Sequence, residues 1–194
     1  MDLTASILNE IEKCEILRRH PHPNIVQYLG CLVEDGKIYG LCFVRYQQDL
    51  VQRMNETPTK SDLDECIKGV ESGLKHLHSL GLVHCDLDPM NTMMSDDYKP
   101  VIIDFDPCTF EGKPLGVKAG TWGWIYNDSG IAYREGDLRS LLAIKKYVGL
   151  IEIPYRPRRS RMLCSEGIGS GCHVGRVGKL VDSENKSNNS ADTI

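Results

Sequence analysis

The stretch from Leu82 to Asp106, LVHCDLDPMNTMMSDDYKPVIIDFD, constrains the fold of this chain more than any other. A short polar loop carries Asp86 and Asn91, and an apolar strand over residues 100–103 then delivers Asp104. Carboxylate and amide oxygens are ligands that a hard cation such as Mg²⁺ prefers, whereas thiols suit softer metals. The stretch therefore predicts a loop and a strand end that carry a set of oxygen ligands.

Phosphoryl transfer leaves a protein little covalent chemistry to do. It needs one group that orients the attacking hydroxyl and oxygen ligands that hold Mg²⁺ on the phosphates. Asp86, Asn91 and Asp104 can supply that set. Asp-Phe and His-x-Asp are each common by chance, but the whole string with its interposed strand is specific. The stretch therefore predicts a phosphotransfer site.

Composition limits the class of protein. The chain has 194 residues, of which 41% are hydrophobic, so it can bury one sizeable core. A net charge of -4 gives no basic footprint, so no nucleic-acid partner is expected. No run approaches the roughly 18 apolar residues of a membrane span. We therefore expect a cytoplasmic or nuclear protein, and its 8 cysteines, which show no CxxC pairing, are expected to be reduced and mostly buried.

Hydrophobic spacing predicts an α+β domain over residues 1–150. The predicted elements are a helix at 4–19, strands at 25–33 and 37–44 joined by a hairpin, a helix from Ser61 to Gly81 capped by Ser61 with Asp64, strands at 92–94 and 100–105, and a helix at about 136–148. Residues 151–194 are rich in Gly, Ser and Asn around a basic cluster, RPRRSR, and predict a disordered tail.

The order His, x, Asp, four residues, Asn, and then a strand ending in Asp-Phe resembles the catalytic loop and metal-binding motif of eukaryotic protein kinases. HPNIVQYLGC, HLHSLGLVHCDL, PVIIDFDPC and AGTWGW are similar to further segments of that superfamily, and to a fungal group of serine/threonine-kinase-like proteins in particular. The resemblance spans roughly residues 5–150. It implies a partial protein-kinase-like fold with the regulatory helix, the last strands of the N-lobe and a helical C-lobe through the helix that begins near Asp137.

Under this resemblance each polar group of the loop takes a role. Asp86 would orient the hydroxyl of a protein substrate, and Asn91 and Asp104 would hold Mg²⁺ on ATP. His84 would be a structural histidine that packs behind the loop. Asp137 would cap the loop from below, with a helix N-cap as its alternative role.

The second predicted strand, in GLCFVRYQQDL, resembles the hinge that contacts the nucleotide in protein kinases. Phe43 would guard the back pocket, the backbone of Val44 and Tyr46 would face adenine, and Asp49 would reach the ribose. Ordinary strand residues followed by a helix start explain the same letters, so both interpretations stay open. Thr121 in AGTWGW resembles the threonine that braces the catalytic aspartate.

The first predicted helix resembles the regulatory helix, whose glutamate pairs with a phosphate-binding lysine. Glu10 would be that glutamate, although Glu12 fits nearly as well because the HPHP insertion blurs the count, and an exposed helix charge is the alternative for either. No lysine precedes Lys13, and the Gly-rich loop that covers the phosphates has no counterpart. We therefore expect weak nucleotide binding.

Three substitutions within the motifs also depart from the family pattern. Cys85 replaces the arginine that docks a phosphorylated activation segment, so control by that route is not expected. Asp88 replaces a lysine near the transferred phosphate, where an acid would oppose the developing negative charge. Asp106 replaces a glycine and adds a carboxylate near the metal site.

Three functions stay open at this point. The first is an ATP-dependent serine/threonine phosphotransferase acting on a protein, and the second is a non-catalytic pseudokinase or remnant that acts through protein contacts. The third is a small-molecule phosphotransferase of the aminoglycoside or choline kinase type, which HPNIVQYLGC and AGTWGW disfavour. A chain truncated at both ends, without the C-terminal helices of the substrate lobe, is the simplest account of the departures.

Overall fold

Four helices and seven short strands make up the part of the chain that the computed structural model describes, residues 3–95, 97–116 and 130–151. In chain order they are α1 (Leu3–Arg19), β1 (Tyr28–Glu34), β2 (Lys37–Phe43), β3 (Gln48–Asp49), α2 (Leu50–Met54), α3 (Lys60–Ser79), β4 (Leu82–Val83), β5 (Thr92–Met94), β6 (Pro100–Ile102), β7 (Thr109–Phe110) and α4 (Arg134–Tyr147). The predicted α+β class is confirmed. Thr121 and the tail predicted beyond residue 151 lie outside the described residues.

The strands form small antiparallel sheets: β1 with β2, β3 with β5 and β6, and β4 with β7. The predicted hairpin is confirmed, with β1 and β2 paired from Tyr28 and Phe43 to Glu34 and Lys37. Asp35 and Gly36 both have positive φ, 49° and 71°, as a tight hairpin turn requires. No helix in the described ranges is long and apolar enough to cross a membrane.

The strand predicted at 25–33 begins later than expected, because β1 starts at Tyr28. Residues 24–26 instead run beside β6. The Ile102 amide donates to the Asn24 carbonyl at 2.9 Å, and the Val26 amide donates to the Ile102 carbonyl at 2.9 Å. The Asn24 side chain donates to the Pro100 carbonyl at 2.8 Å. The apolar pattern of this segment is thus explained by a short parallel bridge, which anchors the chain after α1 to the strand that delivers Asp104.

Helix α3 is the centre of the core. Its buried apolar side chains repeat at helical spacing as predicted: Leu63, Cys66, Ile67, Val70, Leu74 and Leu77. The predicted cap was wrong, because Thr59 caps the helix. Its Oγ1 accepts from the Asp62 amide at 3.2 Å, while the Asp62 carboxylate accepts from the Thr59 amide at 2.9 Å. The sequence TKSDLD holds the capping pattern twice, and the earlier copy forms directly after Pro58.

Two glycines allow α3 to approach β6 and residue Asn24. A Cβ atom on Gly73 would lie 2.8 Å from the Asn24 carbonyl oxygen and 3.1 Å from Ile102 Cδ1. A Cβ atom on Gly69 would lie 2.5 Å from Pro100 Cγ. The close packing of the core helix on the strand before Asp104 therefore depends on the absence of these side chains.

A histidine pair connects the loop after α1 to α3. The rings of His22 and His76 stack with centroids 4.8 Å apart and an interplanar angle of 20°. His22 Nδ1 accepts from the Asn24 amide at 3.2 Å, and His22 Nε2 lies 3.2 Å from Ser72 Oγ. Burial, and then the nearby His76, lower the pKa of His22. The stacked arrangement therefore favours a neutral His22 ring.

We expect Gly73→Ala to lower the free energy of unfolding by about 1–3 kcal/mol, because the new methyl group meets a backbone oxygen that is itself hydrogen-bonded. The matched control is Gly136→Ala in α4, where a Cβ atom meets nothing within 4 Å. That substitution should leave stability unchanged or raise it by up to about 1 kcal/mol. Urea unfolding of both variants measures the difference, and equal effects would contradict the packing described for α3.

The neutral state of His22 predicts how the stability of the fold depends on pH. Folding lowers the pKa of His22 below its unfolded value of about 6.5. Such a histidine stabilises the fold above that pH, and the stabilisation is lost as the pH falls. The free energy of unfolding should therefore fall more steeply between about pH 7 and pH 5 for the native chain than for His22→Gln, which keeps His76. Parallel curves would show that the stack contributes nothing to the pH dependence.

Candidate active site

The backbone of Ile103 connects the polar loop that carries Asp86 and Asn91 to the strand end that carries Asp104. Strands β5 and β6 pair with Thr92 opposite Ile102, and one residue further along the Ile103 amide donates to the Asn91 carbonyl at 3.0 Å. The Ile103 carbonyl lies 2.8 Å from His84 Nε2. Because Asp104 follows Ile103 directly, this backbone pairing places Asp104 beside Asn91.

His84 is a structural histidine. Its side chain is fully buried, and its Nδ1 atom accepts from the Asp86 amide at 3.3 Å. The Nε2 atom therefore carries the proton and donates to the Ile103 carbonyl. The ring also makes an edge contact with Phe105, with centroids 5.3 Å apart. Both ring nitrogens thus serve the loop, as the sequence had led us to expect.

Asn91 and Asp86 are held together by the Asn91 amide group. Its Nδ2 atom donates to the Asp86 carbonyl at 2.8 Å and lies 3.5 Å from Asp86 Oδ2. This commits the nitrogen side of the amide to the loop and fixes the direction of its oxygen. The structure thus brings together Asp86, Asn91 and Asp104, the three predicted residues of the catalytic and metal sites.

Asp137 supports the loop from inside the protein. Its carboxylate, 1% exposed, accepts from the amides of His84 at 2.8 Å and Cys85 at 3.0 Å, and from His78 Nε2 at 2.8 Å. The alternative of a helix N-cap was wrong, because α4 begins at Arg134 and Asp137 lies within its first turn. A buried carboxylate with three donors stabilises the loop through charge-assisted hydrogen bonds.

Asp88 has a structural role that comparison with the family pattern did not suggest. Its side chain is buried, and its Oδ1 atom accepts from the amides of Met90 and Asn91, each at 2.8 Å. An aspartate that accepts from amides two and three residues ahead forms a turn of its own. Its carboxylate holds the backbone that carries Asn91, and the expectation that this acid opposes the charge of a transferred phosphate remains a prediction.

Asp104 lies exposed at the end of its strand with a φ of 64°, a conformation that costs most residues free energy and is often found at functional sites. Phe105 beside it is fully buried. The Asp106 amide lies 3.4 Å from Asp104 Oδ1. Within the described part of the chain, no group of three or more His, Cys, Asp and Glu side chains could hold a metal. Asp104 and Asn91 thus offer a cation one carboxylate and one amide oxygen.

Cys85 shares the strained geometry of the site, with a φ of 68°. Burial raises the pKa of its thiol to about 12, with a smaller contribution from the charge of Asp137. The thiol is therefore protonated at neutral pH and is a poor nucleophile. None of the six cysteines within the described ranges forms a disulfide, in agreement with the prediction of reduced thiols.

The predicted hinge begins at Phe43, the last residue of β2. The Phe43 ring packs on Tyr28 at a centroid distance of 5.5 Å. The Val44 amide donates to the Gln27 carbonyl at 3.0 Å, so this amide is already bonded within the protein. Burial raises the pKa of the Tyr46 phenol, against a smaller opposing effect from a backbone hydrogen bond with Gln27. The segment is therefore fixed to the residue before β1.

Asp49 has a local role at the start of α2. Its Oδ1 atom accepts from the Gln52 amide at 2.7 Å, while the Gln52 side chain accepts from the Asp49 amide at 3.2 Å. The Leu50 amide donates to the Pro89 carbonyl at 3.2 Å, which ties this helix start to the catalytic-type loop. The predicted contact with a ribose remains a prediction beside this helix cap.

Helix α1 turns a lysine inward, and neither glutamate is buried. The Glu12 side chain is 59% exposed and lies 2.6 Å from Lys13 Nζ, whereas Glu10 is half-buried. Lys13 is 2% exposed. The sequence held a signal for this, because Lys13 lies four residues before the buried Leu17 and so shares its face of the helix.

Curated relatives of this chain are serine/threonine kinases. Serine/threonine-protein kinase Tao of Drosophila melanogaster is 29% identical over 133 residues, which are 67% of this chain and 12% of that protein. Calcium/calmodulin-dependent protein kinase type 1B of Homo sapiens is 32% identical over 127 residues, 62% of this chain and 36% of that protein. Serine/threonine-protein kinase pakF of Dictyostelium discoideum is 30% identical over 105 residues. The chain thus spans well under half of these relatives.

The family comparison agrees with the site geometry. Residues 2–125, more than half of the chain, match the protein kinase domain. This range contains α1, the hinge segment, the catalytic-type loop and the strand that leads to Asp104. The predicted resemblance is confirmed. The chain belongs to the protein kinase domain family and is similar to its serine/threonine kinases.

Proposed function

We propose that this chain binds magnesium–ATP at Asn91 and Asp104 and directs the γ-phosphate to a protein hydroxyl oriented by Asp86. The observation that carries the proposal is the pairing of the Ile103 peptide with Asn91, which brings the loop and the strand end to one place. Membership of the protein kinase domain family supports ATP and Mg²⁺ as the cofactors. A protein substrate follows from the same family.

The donor set fits Mg²⁺. The Asn91 nitrogen donates to the Asp86 carbonyl, so the amide oxygen is the atom that can face a cation, and the exposed Asp104 adds a carboxylate. Mg²⁺ usually takes only one or two protein carboxylates, with water and substrate phosphates completing its shell. When bound, the ion neutralises charge on the phosphates. Two protein oxygens are therefore enough.

The surroundings of Asp86 suit a residue that orients a hydroxyl. Its amide is bonded to His84, and its carbonyl accepts from Asn91, so hydrogen bonds fix the backbone on both sides of the side chain. The buried Asp137 holds the two preceding amides. Preorganised groups of this kind avoid the cost of reordering during the reaction. The loop is thus positioned before any substrate binds.

Nucleotide affinity should be low. Lys13 is a buried residue of α1, and its ammonium group already donates to Asn9 and Glu12. At the hinge, the Val44 amide is bonded to Gln27, which leaves the Val44 carbonyl and the Tyr46 backbone for adenine. Glu10 and Asp49 are the remaining candidate contacts, the first through the regulatory helix and the second through the ribose. In this proposal the phosphates are bound through the metal that Asn91 and Asp104 hold.

A second candidate function is a module that acts through protein contacts without catalysis. The observation that favours it is the complete internal support of the loop by Asp137 and Asp88, which requires no nucleotide. A loop held in this way keeps its shape in a protein that has lost phosphate binding. Magnesium–ATP binding separates the two candidates.

We expect the purified chain to bind magnesium–ATP weakly and Asp104→Asn to bind it at least about tenfold more weakly, because the substitution removes a metal-binding charge. Asparagine tolerates the positive φ of this position, so the backbone should be preserved. The matched control is Asp35→Asn, an exposed aspartate that also has positive φ. Isothermal titration with Mg²⁺ and ATP together measures the affinities.

Two results would contradict the proposal. Equal binding by the native chain and Asp104→Asn would remove Asp104 from the metal site. No binding by either protein, with Asp35→Asn folded normally, would remove the enzymatic proposal and favour the second candidate.

A further inference from the structure

Lys13 is the largest side chain that is almost completely buried in the described part of the chain. Its Nζ atom donates to Asn9 Oδ1 at 2.9 Å and to Glu12 Oε2 at 2.6 Å. Lysine is rarely buried, because removing an ammonium group from water costs free energy unless its partners compensate. The proposed phosphotransfer chemistry makes no use of this cation, so its position requires another explanation.

The lysine connects α1 to the segment that follows Asp104. Its Nζ atom lies 4.8 Å from the centre of the Phe110 ring, within the range of a cation–π interaction. The neighbouring Asn9 side chain reaches the Cys108 carbonyl at 3.5 Å. Lys13 and Asn9 thus hold helix and segment together through one cation and one amide.

The far side of this segment is attached to the catalytic-type loop. Phe110 pairs with Leu82 in the β4–β7 ladder, and the Glu111 amide donates to the Gly81 carbonyl at 3.0 Å. Residues 104–110 therefore lie between two supports. One is the strand that enters the loop, and the other is the Lys13 contact of α1.

We propose that Lys13 is a positioning residue, an internal cation that holds α1 against residues 105–110 and thereby fixes the site of Asp104. The inference rests on the proposed role of Asp104 in binding magnesium–ATP. In this chain the cation comes from the helix itself, so the helix is held inward before nucleotide binds.

A second observation agrees with this placement. Cys14, the next residue of α1, is fully buried. Burial raises the pKa of its thiol most, followed by nearby charges that include Glu10 and Asp104. The inner face of α1 at Cys14 thus belongs to the same buried core as Cys108 in the segment after Asp104.

The chemistry of the contact separates positioning from general stability. In Lys13→Met an apolar chain of similar length replaces the buried ammonium, and the exposed Glu12 regains its hydration. Replacing a buried ion by a well-packed apolar group is often neutral or stabilising. We therefore expect Lys13→Met to retain the global stability of the native chain while it loosens the segment after Asp104.

Hydrogen exchange measures that local effect without any nucleotide. In Lys13→Met the amides of Cys108, Phe110 and Glu111 should exchange about tenfold faster, since the cation–π contact is lost, and the amides of α3 should be unchanged. Phe110→Leu, which removes the ring and keeps an apolar side chain, should give the same local pattern. Lys68→Met, at an exposed position of α3, is the matched control and should change neither segment.

Magnesium–ATP titration then distinguishes this inference from the proposed function. Lys13→Met should weaken binding by about tenfold in the native background and have no effect in the Asp104→Asn background. Unchanged exchange at residues 105–111, or equal acceleration in α3, would overturn the role of Lys13 even if Asp104 binds the metal. Faster local exchange in a chain that binds no magnesium–ATP would contradict the proposed function and leave the support of α1 intact.

Discussion

The candidate site depends on two hydrogen bonds made by the backbone of Ile103. The amide donates to the Asn91 carbonyl, and the carbonyl accepts from His84. Without these hydrogen bonds, nothing described here would hold Asp104 next to the polar loop. Ile103 directly follows β6, and Gly73 allows α3 to pack closely against that strand. The site is therefore a direct product of how the core packs.

Carboxylates divide into two kinds in this site. Asp137 and Asp88 are buried and accept hydrogen bonds from backbone amides, so their charge stabilises the shape of the loop. Asp86 and Asp104 lie nearer the surface, where a substrate and a metal can reach them. This division explains how several acidic side chains can lie close together here, since the charges of Asp88 and Asp137 are matched by backbone donors.

Much of this arrangement follows from sequence, because periodic patterns report directly on burial. The apolar spacing of α3 and the Asp35-Gly36 turn predicted their elements, and family motifs located Asp86, Asn91 and Asp104. A sequence that fits one pattern at two positions was less informative, as with the two overlapping capping boxes at the start of α3. The roles of Asp88 and Lys13 could not be predicted from charge, since both side chains are charged and yet buried. The Phe110 ring that Lys13 contacts is also distant in sequence.

The central claim is that Asn91 and Asp104 together form a metal–nucleotide site, and paramagnetic broadening tests it most directly. Mn²⁺ can replace Mg²⁺ with ATP in a sample of the ¹⁵N-labelled chain, and it broadens amide signals in its vicinity. The account predicts that the amides of Asp86, Asn91 and Asp104 broaden first, and only when ATP is present. Broadening centred on another part of the chain, or none at concentrations of ATP well above those of the protein, would contradict it.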